Sequence, residues 1–176
     1  MRDLFQRIPR LESDLVCLRQ LTLSDAEMLE KMTRQEKVYR YEPTFLYEKQ
    51  YDQAEDAILQ MYGEGLGDSL ILGVFQGEGF CGLAEVYGYR APIHKVSVGY
   101  RLMEEVWGRG IATETLRLMV DELINNRGIE IITASTMIEN HASARVLEKN
   151  GFTLVNHAVG EDWGYPTPTL ADKWIR

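Results

Sequence analysis

Val98-Gly99-Tyr100-Arg101-Leu102-Met103-Glu104-Glu105-Val106-Trp107-Gly108-Arg109-Gly110-Ile111-Ala112-Thr113-Glu114-Thr115 reads as a strand, a glycine loop and the start of a helix. Apolar residues alternate from Val96 to Leu102, an acidic pair follows, and from Ile111 the apolar positions fall at helical spacing. Glycines at 108 and 110 remove the Cβ atoms that would hold a ligand off the backbone, and they leave consecutive N–H groups free to converge on an anion. A helix beginning there adds its unpaired amides and the positive end of its dipole. The segment suits a phosphate or pyrophosphate.

Three kinds of phosphate loop compete for this segment. A nucleotide P-loop needs Gly-x-x-x-x-Gly-Lys followed by Ser or Thr, a string the chain lacks. A dinucleotide fingerprint needs a third glycine where Thr113 stands and an acidic residue closing the next strand, whereas Glu130 precedes that strand. The third pattern is Arg or Gln, two residues, Gly, one residue, then Gly or Ala, the pyrophosphate loop of the GNAT acyltransferases. Gly110 and Ala112 match it, Trp107 stands at its first position and Arg109 fills its basic slot. Trp-Gly-Arg-Gly-Ile-Ala-Thr-Glu resembles the branch containing the ribosomal-protein N-terminal acetyltransferases. A second segment, Asn140-His141-Ala142-Ser143-Ala144-Arg145-Val146-Leu147-Glu148-Lys149-Asn150-Gly151-Phe152, is similar to the family's C-terminal signature. The resemblance runs from about Leu15 to the end of the chain.

What the resemblance implies is specific. The fold would be α/β (α+β), one N-acetyltransferase domain over residues 1–176. Its central sheet would be mixed and mostly antiparallel, with six to seven strands splayed at a parallel pair and about four flanking helices. Acetyl-CoA would be the cosubstrate, with no metal, and the acceptor a primary amine on a protein N-terminus or a small molecule, attacking directly in a ternary complex. The pantetheine arm would bond to backbone at Tyr100 and Leu102. Trp107, Gly108, Arg109, Gly110, Ile111, Ala112 and Thr113 would hold the pyrophosphate, with Asn140 and Ser143 facing the thioester. A plain helix cap explains Asn140 nearly as well.

Acyl transfer to an amine needs a neutral nucleophile, a polarised carbonyl and a leaving thiolate. A backbone amide near Leu102 can polarise the carbonyl. A lysine amine of pKa about 10.4 is roughly 0.1% neutral at physiological pH, and an α-amine near 7.7–8.0 about a quarter neutral, so an α-amine demands less of a base. Glu85, the one carboxylate within the apolar Phe80 to Tyr89 segment, is the candidate base, unless it is a surface glutamate on an alternating strand. Many GNAT enzymes place a tyrosine seven residues after the asparagine to protonate the thiolate. Here that residue is Leu147, and Ser143 is the nearest hydroxyl. A thiol of pKa about 8.5 leaves tolerably without help, so a missing acid costs on the order of 10²-fold. A catalytically weak acetyl-CoA-binding regulator is the competing reading.

The other elements follow from pattern. Leu15 to Leu21 is expected as the first strand and a short helix from Asp25, with Ser24 and Glu27 at capping-box spacing. Glu36 to Lys49, rich in tyrosine and broken by Pro43, is expected as a loop, which the resemblance puts over the acceptor site. A second helix carries Tyr51, Ala54, Ile58, Met61 and Tyr62 and closes around Gly63 and Gly65. Leu70 to Phe75 and Phe80 to Tyr89 flank a Gln-Gly-Glu-Gly hairpin, and His94 to Leu102 follows. The helix from Ile111 presents Leu116, Met119, Val120, Leu123 and Ile124 on one face. Ile129 to Thr136 alternates little, as in a strand buried on both faces. A helix from His141 to Asn150 and strands Phe152 to Ala158 and Leu170 to Ile175 complete the chain.

With 176 residues, 45% of them hydrophobic, the chain fits one full core. A net charge of −8 argues against direct nucleic-acid binding; it suits a basic acceptor, but it is better explained as the acidic balance of an ordinary soluble protein. No apolar run nears the roughly 20 residues that span a bilayer and the N-terminus lacks a signal core, so no membrane contact and a cytoplasmic location are expected. Cys17 and Cys81 are expected as buried thiols. Trp163 and Tyr165, expected to be exposed, suit a homodimer contact or a substrate wall equally well.

Overall fold

Ser69–Gln76 (β3) is buried along nearly its whole length because its two faces feed two cores. Leu70, Leu72 and Val74 face one; Ile71 and Phe75 face the other, after a register shift between Val74 and Phe75. The computed structural model describes residues 1, 3–63 and 67–176, so Gly65 lies outside the described residues. Before β3 come Leu11–Glu12 (β1) and Cys17–Arg19 (β2); after it come Gly79–Arg90 (β4), Lys95–Leu102 (β5), Ile131–Met137 (β6), Thr153–Glu161 (β7) and Thr169–Ile175 (β8). They form one sheet in the order β1-β2-β3-β4-β5-β6-β8-β7. Every neighbouring pair is antiparallel except β5 with β6. The strand beyond the expected six to seven is β1, whose two residues are too short to carry a period.

Ala26–Thr33 (α1) and Ala54–Tyr62 (α2) cover one face, burying Leu29, Met32, Ala57, Ile58 and Met61 against Ile71, Phe75 and Leu83. Ile111–Asp121 (α3) and His141–Lys149 (α4) cover the other, where Leu116, Met119 and Leu147 meet Val96, Val98 and Ile132. Each such fully buried side chain stabilises the fold by about 1.5–3 kcal/mol relative to exposure. No described helix is long and apolar enough to cross a membrane.

Several local expectations are corrected. The cap before α1 is Thr22 with Asp25, not Ser24 with Glu27: the Asp25 carboxylate accepts from the Thr22 amide at 2.7 Å and is held by Arg19 at 2.9 Å. Arg19 and those hydrogen bonds depress the Asp25 pKa against the effect of burial, which raises it. Ile124 is 39% exposed because α3 runs on into a π turn, Glu122–Asn126, which rotates it off the buried stripe. β6 alternates between buried and half-buried residues rather than being buried on both faces. Cys81 is buried but Cys17 only half-buried, and Trp163 is buried rather than exposed.

The parallel ladder is short. β5 and β6 pair only from Lys95 opposite Ile131 to Ser97 opposite Thr133. Beyond that, β5 stays with β4 as far as Leu102 opposite Gly82, while β6 follows β8 to Met137 opposite Ala171. The two strands therefore part toward their carboxyl ends, and the site lies in the gap.

Candidate active site

Two cavities meet in that gap. The narrower, of about 410 Å³, is bounded by the end of β5, the glycine loop and α4. Gly108 and Gly110 have φ of 72° and 79°, the left-handed conformation that glycine adopts without a Cβ penalty. Gly110 caps α3, whose first backbone bond runs from the Glu114 amide to the Gly110 carbonyl at 3.0 Å. The amides of Ile111, Ala112 and Thr113 are thus left as free donors at a helix N-terminus. The Trp107 indole donates to the Leu102 carbonyl at 2.7 Å and pins the loop to β5. Lys37, Arg40, Arg101, Arg145 and Lys149 line this cavity with a single carboxylate, Glu42, among the described residues.

The larger cavity, of about 850 Å³, has the opposite electrostatics. Glu42, Asp68, Glu85, Glu161 and Asp162 line it, against Arg101 and the chain's amino terminus. Tyrosines and Trp163 supply much of the remaining wall. The aromatic Glu36 to Lys49 segment and the stretch after β7 close over it together: the Thr44 amide donates to the Trp163 carbonyl at 2.9 Å, and the Tyr165 hydroxyl to the Glu42 carbonyl at 2.9 Å.

Tyr41, Glu42, Tyr100, Arg101, Asn140 and Ser143 line both cavities and mark their junction. The Asn140 side chain accepts from the Ser143 amide at 3.2 Å, so it does cap α4 and in doing so sets Ser143 at the first turn. The Ser143 hydroxyl lies 2.9 Å from that of Tyr100. Burial pushes the Tyr100 phenol up to about 12, against the opposing effect of its Ser143 bond. Arg101 is buried and forked onto Glu48 at 2.5 and 2.6 Å, and it reaches Glu85 at 3.1 Å. Tyr39 donates to the same Glu48 at 3.1 Å, so a buried ion pair ties the tyrosine-rich segment to β5. Glu42 is half-buried; burial pushes its carboxyl up to about 8, with Arg101 opposing and Glu48 and Glu85 adding to the rise.

A family model of the GNAT acetyltransferase domain matches residues 16–153. The chain belongs to the GNAT acetyltransferase family. Among relatives, the uncharacterized N-acetyltransferase YoaA of Bacillus subtilis (strain 168) is 27% identical over 150 residues, covering 82% of each chain. Among solved structures, the spermidine N-acetyltransferase of Vibrio cholerae in complex with CoA and spermine has a TM-score of 0.75 at 16% identity, covering 93% of this chain and 96% of that one. RimL, a ribosomal L7/L12 α-N-protein acetyltransferase in complex with coenzyme A, has a TM-score of 0.78 at 17% identity, covering 96% and 97%. At these identities the likeness is one of fold.

Within this GNAT fold, the structure brings Tyr100, Leu102, Trp107, Gly108, Gly110, Ile111, Ala112, Thr113, Asn140 and Ser143 around the narrower cavity. Arg109 stands apart, its guanidinium on Gln76 at 2.9 Å. Glu85 lines the larger cavity but not the junction. Sequence pattern missed Glu42, the Arg101–Glu48 pair, the Tyr100 hydroxyl and the cations Lys37, Arg40, Arg145 and Lys149. Arg145 and Lys149 lie one helical turn apart, the only signal of the group that periodicity carries. Among the described residues no three His, Cys, Asp or Glu side chains are grouped to hold a metal ion.

Proposed function

We propose that the protein is an acetyl-CoA-dependent N-acetyltransferase whose acceptor is a primary amine, on a protein N-terminus or a small molecule, reacting in a ternary complex. One observation carries this reading: a basic cavity with a glycine loop and an acidic, aromatic cavity meet at a single junction. The first has the chemistry of a pyrophosphate donor and the second that of an ammonium acceptor. CoA complexes among the fold neighbours support the donor, and their spermine and α-N-protein acceptors support an amine.

In this reading the free amides of Ile111, Ala112 and Thr113 receive the pyrophosphate. Gly108 and Gly110 permit its close approach, Trp107 holds the loop in place and Arg109 adds charge from the outer edge. The pantetheine arm runs along the backbone of Tyr100 and Leu102 beneath Asn140. The thioester carbonyl then lies at the junction, polarised by backbone amide near Leu102. Glu85, fixed by Arg101, gives the acceptor ammonium an anion to dock against.

Leu147 leaves α4 without a tyrosine at the thiolate, but Tyr100 offers a phenol from the facing strand. Its hydrogen bond to Ser143 forms a short proton path to the departing sulfur, with Ser143 as the donor in contact with it. A hydroxyl pair of this kind is worth about 10²-fold or more in a step limited by thiolate departure.

Thermal unfolding with acetyl-CoA tests the donor site. At about 100 times its dissociation constant the ligand stabilises the wild type by about 2.7 kcal/mol, a rise of a few degrees. Gly110→Glu places a side chain at a left-handed φ of 79° and a negative charge in the loop, and is expected to abolish the shift. An equal shift in the variant would overturn the pyrophosphate assignment.

A further inference from the structure

We propose that Glu42 is the general base that takes the proton from the acceptor ammonium. The assignment rests on the acetyltransfer reading above and on position. Glu42 is the only carboxylate among the described residues that lines both cavities, so it stands where donor and acceptor must meet. Arg101 directs its donors to Glu48 and Glu85 rather than to Glu42. The Glu42 backbone is fixed at both ends, its amide on the Tyr39 carbonyl at 3.2 Å and its carbonyl on the Tyr165 hydroxyl at 2.9 Å.

The surroundings make the carboxylate basic. The groups facing it are Tyr39 and Glu48 from its own segment, Glu85 and Tyr87 from β4, and Tyr100 and Arg101 from β5. Arg145 of α4 lines the narrower cavity with it, and Glu161 and Asp162 line the larger one. Burial and the Glu48 and Glu85 carboxylates outweigh Arg101 and push the carboxyl up to about 8. A carboxylate of that basicity is far better matched to an ammonium than one in the ordinary range.

The ammonium gives one proton to the Glu42 carboxylate, directly or through one water, and the freed nitrogen pair attacks the thioester carbon. The C–N bond forms, the C–S bond breaks, and the electron pair leaves on sulfur. The nitrogen loses its second proton to solvent as the amide forms; Ser143 protonates the sulfur, is reprotonated by Tyr100, and Tyr100 recovers a proton from solvent, while Glu42 returns its own to solvent. The net products are the acetamide, the free thiol and one proton.

The test is the pH dependence of kcat for the wild type, Glu42→Gln and Glu85→Gln, with spermine and an alanine-initiated peptide as acceptors. The wild-type rate should rise with pH through about 8 and level off, because the base must be ionised. With spermine, Glu42→Gln should move that limb up toward the amine's own range, about 10, and lose about 10²–10⁴-fold in kcat while keeping its thermal shift with acetyl-CoA. Glu85→Gln should retain the limb, moved to lower pH because one of the carboxylates that raise Glu42 is gone. A Glu42→Gln enzyme with the wild-type rate and profile, or a limb lost only in Glu85→Gln, would overturn the assignment. So would carbon NMR of the wild type that finds Glu42 titrating in the ordinary carboxylate range. A wild type that releases no thiol with either amine is a different failure: it removes the acetyltransfer reading, and the base with it.

Discussion

Arg101 is the residue on which the site depends most. Its guanidinium is buried between Glu48 and Glu85, so the tyrosine-rich segment and β4 are both fastened to β5 through one side chain. Arg101→Met leaves two carboxylates facing each other without a cation. Breaking a buried pair from one side costs about 3–5 kcal/mol, and urea unfolding should read a loss of that order. A loss under about 1 kcal/mol would mean that water reaches the pair and that it behaves as a surface bridge. Little of this was legible in the sequence. Arg101 sits in an alternating strand, where pattern gives a side chain's face but not its partner, and Glu48 is 53 positions away in a segment without periodicity. Glu85 stood out because it interrupts an apolar run. Glu42 did not, because what distinguishes it is its place among other charges where the two cavities meet, a property of the assembled site.

At the scale of elements, the end of β5 is shaped by a glycine that no motif contains. Gly82 has φ of 151°, and a Cβ there would stand 2.2 Å from the Arg101 carbonyl oxygen and 2.7 Å from the Leu102 Cα. Gly82→Ala must push β5 away where its backbone borders the narrower cavity. We expect a stability loss of about 1–3 kcal/mol and weaker binding of acetyl-CoA, both measurable by thermal titration. Stability and affinity equal to the wild type would mean that β5 yields freely at its end. The helices were largely legible, since α2, α3 and α4 each repeat apolar residues at their own period and Asn140 and Gly151 mark the limits of α4. What escaped was short or locally exceptional: the two-residue β1, the π turn after α3, and the cap in which Asp25 rather than Glu27 answers Thr22. Each depends on a contact, not a period.

For the whole molecule, the sheet accounts for the site. A parallel ladder of three residue pairs ends at Ser97 and Thr133, and every feature of the chemistry lies beyond that point. The glycine loop and α4 build one side, and the two segments that clasp at Thr44 and Trp163 build the other. Net charge of −8 was compatible with a basic acceptor but concealed the division of charge, because the cations gather around one cavity and the carboxylates around its neighbour. That separation is legible only after folding, since Lys37, Arg101 and Arg145 come from three distant parts of the chain. It predicts that neither substrate alone engages the full site. The most direct test is release of free thiol from acetyl-CoA, followed with mass spectrometry of the amine, using spermine and an alanine-initiated peptide. Thiol release that requires the amine, with one acetyl group gained by it, is the result expected here. Acetyl-CoA that binds but yields neither thiol nor acetylated amine would contradict the enzyme and leave a binding protein of the same fold.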